Sequence, residues 1–298
     1  MLRFEPKYYL KPWGGRRMSQ LFNRELPEGS VGESWELVDL PEHESVVIDG
    51  PHKGKKLGDL WRSGALGGTA QGDFPFLLKW LDTHERMSVQ VHPDEEFCQN
   101  TRLGKPKTEA WYVAHADHKS KFLAGNYPGL DATTLKQAVE RGSLEKWLYE
   151  ATPRPGDIYL IEAGTVHAMG SGFLILEVQQ PSDTTFRVHD WGRVDENGES
   201  RELHLDEAAA CIRYNRFDLP QPHRDKVTGP CFAMETMQMG TAFPKEGLRV
   251  VVADKKPVKL IGDQGEQHLK FGDVVVIEPS DGIVALASGS CVLLTEPN

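Results

Sequence analysis

The stretch from Ser88 to Tyr112 constrains the fold of this 298-residue chain more than any other, because its first residues alternate in character. Val89 and Val91 point to one face of a predicted strand, whereas Gln90 and His92 point to the other, which is typical of a half-buried β-strand. Two side chains that can bind a cation therefore project from the same side of one strand.

A carboxylate and a second histidine lie on two further predicted strands. Residues 107–113 form a strand-like run that carries Glu109, and we expect His92 and Glu109 to converge if their strands lie side by side. Downstream, a β-run at residues 158–162 is bounded by two turns, and His167 begins the strand after the second turn. The sequence thus places four potential ligands on three strands.

Two histidines, a glutamate and a glutamine supply nitrogen and oxygen donors that suit Zn²⁺ and also accept Mn²⁺ or Fe²⁺, with a position left for water or substrate. Histidines at strand ends can instead hydrogen-bond to the backbone and bind no metal. The joint pattern of QxHP, KxE on a β-run, and GTVHA after a Gly-Asp turn favours a metal site.

The C-terminal part of the chain repeats one of these motifs. The run GDVVVIE at residues 272–278 closely repeats GDIYLIE at residues 156–162, and an alignment without gaps puts Ile283 at the position of His167. The second copy keeps the β pattern and lacks the metal ligand. We therefore expect a mainly β chain with two units, a metal-binding unit at residues 1–218 and a unit without metal ligands at residues 219–298.

Helical periodicity is confined to short segments. The clearest is residues 131–149, where apolar positions at helical spacing flank a Gly-Ser break, which predicts two short helices inserted into the β framework. We expect this insertion to cover one mouth of a barrel.

The composition argues against nucleic acid and membranes as partners and favours a cytoplasmic protein. The net charge is −10, with acidic and basic residues interspersed, so no basic face for nucleic acid is expected. The four cysteines are widely spaced without a CxxC pair, which favours reduced thiols in a cytoplasmic protein. The absence of a signal-peptide core and of a run of about 18 apolar residues predicts no membrane partner.

Several long motifs, taken together, resemble the type I mannose-6-phosphate isomerases in their short bacterial form. They are SVQVHPDEEF, GKPKTEAWY, GTVHAMGSG and SDTTFRVHDWGR, with KPWGG and GESWEL near the start. The resemblance extends from about Lys11 to Arg193. It implies a bicupin fold of two jelly-roll β-barrels, one Zn²⁺ per chain as cofactor, and a sugar-phosphate substrate, mannose 6-phosphate or fructose 6-phosphate. A monomer or a homodimer is compatible with it.

The resemblance also implies roles for residues that line the site. Lys79 and Ser88 match a lysine and a serine that help to hold the sugar phosphate, and Glu177 and Arg187 match active-site residues. Independently, Lys79 interrupts an apolar β-run, where a lysine needs either an anionic partner or a route to solvent. Arg187 has an alternative as a surface arginine paired with a neighbouring aspartate, Asp183 or Asp190.

An aldose-ketose isomerisation through a cis-enediol needs a base near C1 and C2 and an electrophile for the developing enediolate. Glu177 is one candidate base, because a carboxylate can carry a proton between neighbouring carbons. Lys107, two residues before Glu109, is another, since a lysine beside a cation has a depressed pKa. Arg187 is too basic for this role and is better suited to clamping an anion. We favour Glu177 as base, with Arg187 stabilising charge.

Three alternatives remain open at this stage. A cupin oxygenase would use similar ligands but load iron and consume O₂. A non-enzymatic sugar-phosphate-binding cupin would keep the basic pocket and lack the full set of ligands, Glu177 and Arg187. A glucose-6-phosphate isomerase on the same barrel would be distinguished by offering each hexose phosphate separately.

Overall fold

The computed structural model describes residues 1–194, 197–216 and 219–297, and β-strands dominate this part of the chain. The strands, in chain order, are β1 (Lys7–Gly15), β2 (Val31–Leu37), β3 (Leu77–Thr83), β4 (Val89–Val91), β5 (Glu109–Ala116), β6 (Phe122–Asn126), β7 (Leu148–Ala151), β8 (Ile158–Ile161), β9 (His167–Ala168), β10 (Phe173–Gln179), β11 (Phe186–His189), β12 (Lys226–Thr228), β13 (Ala233–Gln238), β14 (Arg249–Gly262), β15 (Gly265–Leu269), β16 (Val274–Ile277) and β17 (Ala285–Thr295). The helices are α1 (Arg17–Phe22), α2 (Leu57–Arg62), α3 (Glu95–Thr101), α4 (Ala132–Glu140) and α5 (Leu205–Cys211). The prediction of a mainly β chain is confirmed.

The strands form three sheets. A six-stranded sheet has the order β1-β2-β3-β10-β5-β8, a five-stranded sheet has the order β11-β4-β9-β6-β7, and a third sheet joins β12-β13-β17-β14-β15 with β16 paired to β14. Every strand pair in them is antiparallel. The first two sheets contain all the predicted ligands, and the third is built from the C-terminal part of the chain.

The six-stranded sheet is buried on both faces, and β10 shows how its sequence achieves this. Leu174, Leu176 and Val178 pack in one apolar cluster with residues of the third sheet. Ile175 packs in a different cluster, with side chains from the five-stranded sheet. Because successive side chains on a strand point to opposite faces, Glu177 lies on the same side as Ile175 and faces the interior between the first two sheets.

The predicted insertion at residues 131–149 forms α4 and a 3₁₀ turn at Leu144–Trp147, and the Asp131 side chain accepts a hydrogen bond from the Thr134 amide at the start of α4. The expectation that this insertion covers a barrel mouth is wrong. Leu135 of α4 packs with Val89 and with α5 in one apolar cluster, so the helices cover the outer face of the five-stranded sheet.

Residues 43–50 have an apolar centre typical of a strand, but they do not form one. This segment makes two isolated bridges, Val46 to Lys56 and Val47 to Phe4, because its backbone bonds go to a turn and to the N-terminal residues rather than to a neighbouring strand. The predicted boundary at residue 218 lies outside the described residues. No helix in the described part of the chain has the length and apolar character needed to cross a bilayer.

Candidate metal centre

Three predicted ligands meet in the interior between the first two sheets. The Nε2 atom of His92 lies 3.3 Å from one oxygen of Glu109, and the Nε2 atom of His167 lies 3.4 Å from the other. One potential ligand atom from each of the three residues lies within 4.8 Å of the others, and all three side chains are buried. Gln90, the fourth predicted ligand, reaches the same place, since its Nε2 atom is 3.2 Å from the Nε2 atom of His167.

The fold brings these residues together across two sheets. Gln90 of β4 and His167 of β9 are directly paired neighbours in the five-stranded sheet. Glu109 begins β5, which lies in the six-stranded sheet between β10 and β8. The strands of His92 and Glu109 therefore do not lie side by side, which was the condition given for their convergence, and the two residues instead converge across the space between two sheets.

Hydrogen bonds at the back of each imidazole orient the histidines. The Nδ1 atom of His92 is 3.0 Å from the carbonyl oxygen of Thr184, and that of His167 is 2.9 Å from the carbonyl oxygen of Thr165. A carbonyl only accepts, so each Nδ1 carries the proton and each Nε2 presents its lone pair to Glu109. This outer hydrogen bonding is usual for metal-binding histidines.

The electrostatics of the cluster fit a divalent cation. Burial, and after it the Lys107 ammonium, lowers the pKa of His92 to about 3, and burial also lowers the pKa of His167. Burial opposes ionisation of Glu109, but the Lys107 ammonium and His92 outweigh it and hold the pKa of this carboxyl well below its usual range. Neutral imidazoles and an ionised carboxylate are the protonation states that metal binding requires.

Glu109 gives the most specific sign that a cation belongs here. Both of its carboxylate oxygens are buried, and neither accepts a hydrogen bond from the described residues. A buried carboxylate without hydrogen bonds is costly unless a cation compensates it. The donor set of two imidazole nitrogens, a carboxylate and an amide fits a metal ion.

Lys107 compensates part of this charge. Its Nζ atom lies 3.1 Å from Glu109 and 3.1 Å from the Nε2 atom of His92. Burial lowers the pKa of Lys107, but the carboxylates of Glu109 and Glu177 outweigh burial and raise it. This direction holds for the protein without a bound metal ion, so the lowered pKa expected for a lysine beside a metal cation stays a prediction.

A cavity of about 250 Å³ adjoins the cluster. It is lined by six of the residues predicted from the sequence, namely Lys79, Ser88, Gln90, Lys107, Glu177 and Arg187. His92, Glu109 and His167 lie behind this lining. The structure therefore collects every predicted site residue at one cavity or directly behind it.

Glu177 lies in a row of side chains that crosses four neighbouring strands. Trp35, Lys79, Glu177 and Trp111 are directly opposite one another on β2, β3, β10 and β5. The indole nitrogen of Trp111 donates to Glu177 at 3.1 Å, and the Lys79 ammonium lies 3.7 Å from it. Burial, followed by the Glu109 carboxylate, raises the pKa of Glu177 to about 7 in spite of the lysines nearby.

Lys79 interrupts an apolar strand, and its ammonium group has the anionic partners that such a position requires. Its side chain is 5% exposed and lies 3.7 Å from both Glu33 and Glu177, with its ammonium over the Trp35 ring. Glu33, in the GESWEL motif and on β2, is a cavity residue that the sequence did not single out. Burial raises its pKa, but Lys79, Lys11 and a hydrogen bond from Trp35 outweigh burial and lower it to about 2.

Arg187 also reaches the cavity, from β11, where it is directly opposite Gln90. Its Nη1 atom donates to the carbonyl oxygen of Glu202 at 2.8 Å. Asp190 does not pair with Arg187, because Arg193 and Arg201 occupy this carboxylate. Arg201 is a second cavity residue that our sequence analysis missed, and it lies in a segment without any periodic pattern.

The sequence is similar to known proteins of one family. Residues 1–107 match the model of the type I phosphomannose isomerase catalytic domain. The mannose-6-phosphate isomerase ManA of Bacillus subtilis is 37% identical over 230 residues, which cover 74% of this chain and 70% of that protein. The putative mannose-6-phosphate isomerase YvyI of the same organism is also 37% identical, and the match covers 68% of this chain and 65% of YvyI, slightly less than two thirds of its length.

Solved structures agree with these matches. The crystal structure of the mannose 6-phosphate isomerase from Bacillus subtilis superposes with a TM-score of 0.88 at 28% identity, covering 100% of this chain and 99% of that one. A mannose 6-phosphate isomerase bound with zinc and yttrium shares the fold, with a TM-score of 0.74 at 15% identity and full coverage of both chains, 100% and 100%.

Proposed function

The chain belongs to the type I phosphomannose isomerases, and from this membership we propose that it interconverts mannose 6-phosphate and fructose 6-phosphate. The observation that carries the proposal is the Glu109 carboxylate, which is buried without a hydrogen bond between the Nε2 atoms of two histidines. Next to it is a cavity lined by a second carboxylate, Glu177, whose pKa is close to neutrality.

We propose that Gln90, His92, Glu109 and His167 hold one zinc ion per chain. Nitrogen donors from two imidazoles with a carboxylate favour zinc over the oxygen-seeking Mg²⁺ and Ca²⁺. A bound divalent ion supplies the electrophile for this reaction, because it polarises the oxygens at C1 and C2.

Glu177 is the proposed base that moves the proton between C2 and C1. A general base works best when its pKa lies near the operating pH, and burial brings the pKa of Glu177 to about 7. The hydrogen bond from Trp111 to one carboxylate oxygen fixes the side chain and leaves the other oxygen on the side of Lys79. Lys107 also lines the cavity, but its raised pKa makes it a weaker candidate for base and a better candidate for a cation beside the enediolate.

Arg187 is proposed to stabilise negative charge on the substrate, since a guanidinium stays protonated and offers several donors. Ser88 and Lys79 are proposed to contact the phosphate, because both line the same cavity.

We further propose that the site lies within the first of two jelly-roll units, at residues 1–218 and 219–298. The two sheets that enclose the metal ligands support a jelly roll in the first unit. In the second unit Ile283 takes the aligned position of His167, and its side chain is 57% exposed, so no equivalent ligand points inward there.

A coupled assay tests this function. Purified protein is offered mannose 6-phosphate, and fructose 6-phosphate is measured before chelation, after chelation and after addition of Zn²⁺. We expect turnover, loss of turnover on chelation and recovery with zinc, because the metal contributes several kcal/mol of transition-state stabilisation. Equal turnover of glucose 6-phosphate, or O₂ consumption by iron-loaded protein, would contradict the proposal.

A further inference from the structure

Five cationic side chains line the cavity beside the metal centre. They are Lys11, Lys79, Lys107, Arg187 and Arg201. Each of the three lysines lies 3.1 to 3.7 Å from a carboxylate that belongs to the cavity or to the metal cluster. Three carboxylates, Glu33, Glu177 and Asp183, line the same cavity, so cations outnumber anions in its lining by five to three.

Arg187 has hydrogen-bonding capacity that the protein does not use. One of its terminal nitrogens donates to the Glu202 carbonyl oxygen, whereas its buried Nε has no hydrogen-bond partner among the described residues. A guanidinium carries five N–H donors, and a buried donor without a partner is costly. Arg187 therefore has donors left for an acceptor that enters the cavity it lines.

Arg201 is held in a fixed orientation beside Arg187. Its Nε and Nη2 atoms donate to the two oxygens of Asp190 at 2.7 and 2.6 Å, and Arg193 donates to the same carboxylate at 2.5 Å. Two guanidinium groups, those of Arg201 and Arg193, therefore bind one buried carboxylate. Burial, followed by repulsion from Arg201, lowers the pKa of Arg187, which shows that like charges are crowded here.

The strand register gives the position of this cluster relative to the metal ligands. On antiparallel β4 and β11, Arg187 is opposite Gln90 and His189 is opposite Val89. Moving along β4 from Gln90 to Ser88 therefore leads towards Asp190 and the Arg201 that it holds. The backbone of Ser88 is displaced by two residues, roughly 7 Å, along the chain from that of Gln90, and its hydroxyl lies 3.5 Å from the amide oxygen of Gln90. A sugar with C1 and C2 near the metal would extend its phosphorylated end in this direction.

We propose that Arg201, held by Asp190 beside Arg187, binds the phosphate monoester dianion of the substrate and so selects phosphorylated sugars. This inference rests on the proposed function and adds a residue to its substrate site. The guanidinium group of an arginine can donate two parallel hydrogen bonds to a phosphate. Because Asp190 already orients the Arg201 side chain, this side chain loses little conformational freedom when phosphate binds. A dianion also matches the two guanidinium groups that line the cavity, those of Arg187 and Arg201.

The test compares Arg201→Gln with Arg193→Gln in the zinc-loaded enzyme. Arg193 binds the same oxygen of Asp190 but does not line the cavity, so its variant is a matched control for charge and for the Asp190 contact. We expect Arg201→Gln to raise the KM for mannose 6-phosphate and the Kd of inorganic phosphate, measured by calorimetry, about 10- to 100-fold. Its kcat should change far less, and Arg193→Gln should leave both constants within about twofold.

Unchanged constants in Arg201→Gln, equal weakening in Arg193→Gln, or no measurable phosphate binding by the unmodified enzyme would each overturn the inference. Should Arg201→Gln fail to fold, Arg201→Lys keeps a cation beside Asp190 and is expected to weaken phosphate binding in the same direction. If the enzyme binds phosphate through Arg201 but does not isomerise mannose 6-phosphate, the proposed function fails and the phosphate site stands.

Discussion

Replacing Glu109 with glutamine is expected to remove the metal and to lower kcat/KM for mannose 6-phosphate by at least about 1,000-fold, because a metal electrophile supplies several kcal/mol of transition-state stabilisation. Glu109 faces both histidines and is the only charged ligand of the proposed four. An amide in its place cannot balance the charge of a divalent cation. Metal content by mass spectrometry and steady-state kinetics would measure the two effects.

Glu109→Gln is also expected to lower the free energy of unfolding. Lys107 is buried and ion-paired with Glu109, so Glu109→Gln leaves an ammonium without this partner. Breaking a buried ion pair on one side costs about 3 to 5 kcal/mol.

Glu36→Gln is a suitable control, because Glu36 is also buried and paired with an arginine, Arg24, but lies outside the cluster and the cavity. It should lose stability and keep both metal and activity. A Glu109→Gln enzyme that retains one metal ion and normal turnover would contradict the role of Glu109 as a ligand.

Replacing Glu177 with glutamine is expected to lower kcat by about 100- to 10,000-fold, which is the usual contribution of a positioned general base. Metal content should be unchanged, since Glu177 is not among the clustered ligands. The KM should change little, because glutamine has nearly the same shape and can still accept the Trp111 hydrogen bond. Near-normal turnover in this variant, with loss of turnover in Lys107→Met, would transfer the role of base to Lys107.

The pH dependence of the unmodified enzyme provides an independent measurement of the same group. Burial raises the pKa of Glu177 to about 7. Only the ionised carboxylate accepts a proton, so kcat/KM should fall as the pH drops through about 7, and the residual activity of Glu177→Gln should lack this fall. An acidic limb that persists in the variant would show that another group titrates.

The period-2 pattern of single strands predicted which side chains share a face, and these predictions held. Gln90 on β4 and His92 directly after it both reach the metal cluster, as the alternation of this strand predicts. The same pattern does not say which strands become neighbours. The metal ligands meet across two sheets, and this pairing depends on contacts between residues far apart in the chain.

Two cavity residues, Glu33 and Arg201, could not be found from the sequence for the same physical reason. Glu33 lies in the GESWEL motif, but its importance comes from Lys79 on a neighbouring strand 46 positions later in the sequence, and no local pattern reports this contact. Arg201 lies in an irregular segment and is positioned by a side-chain pair with Asp190. Conversely, residues 43–50 have an apolar centre typical of a strand, yet no neighbouring strand is available to pair with them.

Anomalous diffraction from crystals of the zinc-loaded protein tests the metal centre most directly. If His92, Glu109 and His167 bind one ion, a single strong peak should appear among them, about 2.0 to 2.1 Å from the Nε2 atoms of both histidines. A peak elsewhere, or none at this position in protein that has been loaded with zinc and is active, would contradict the assignment of the metal and of the isomerase chemistry that depends on it.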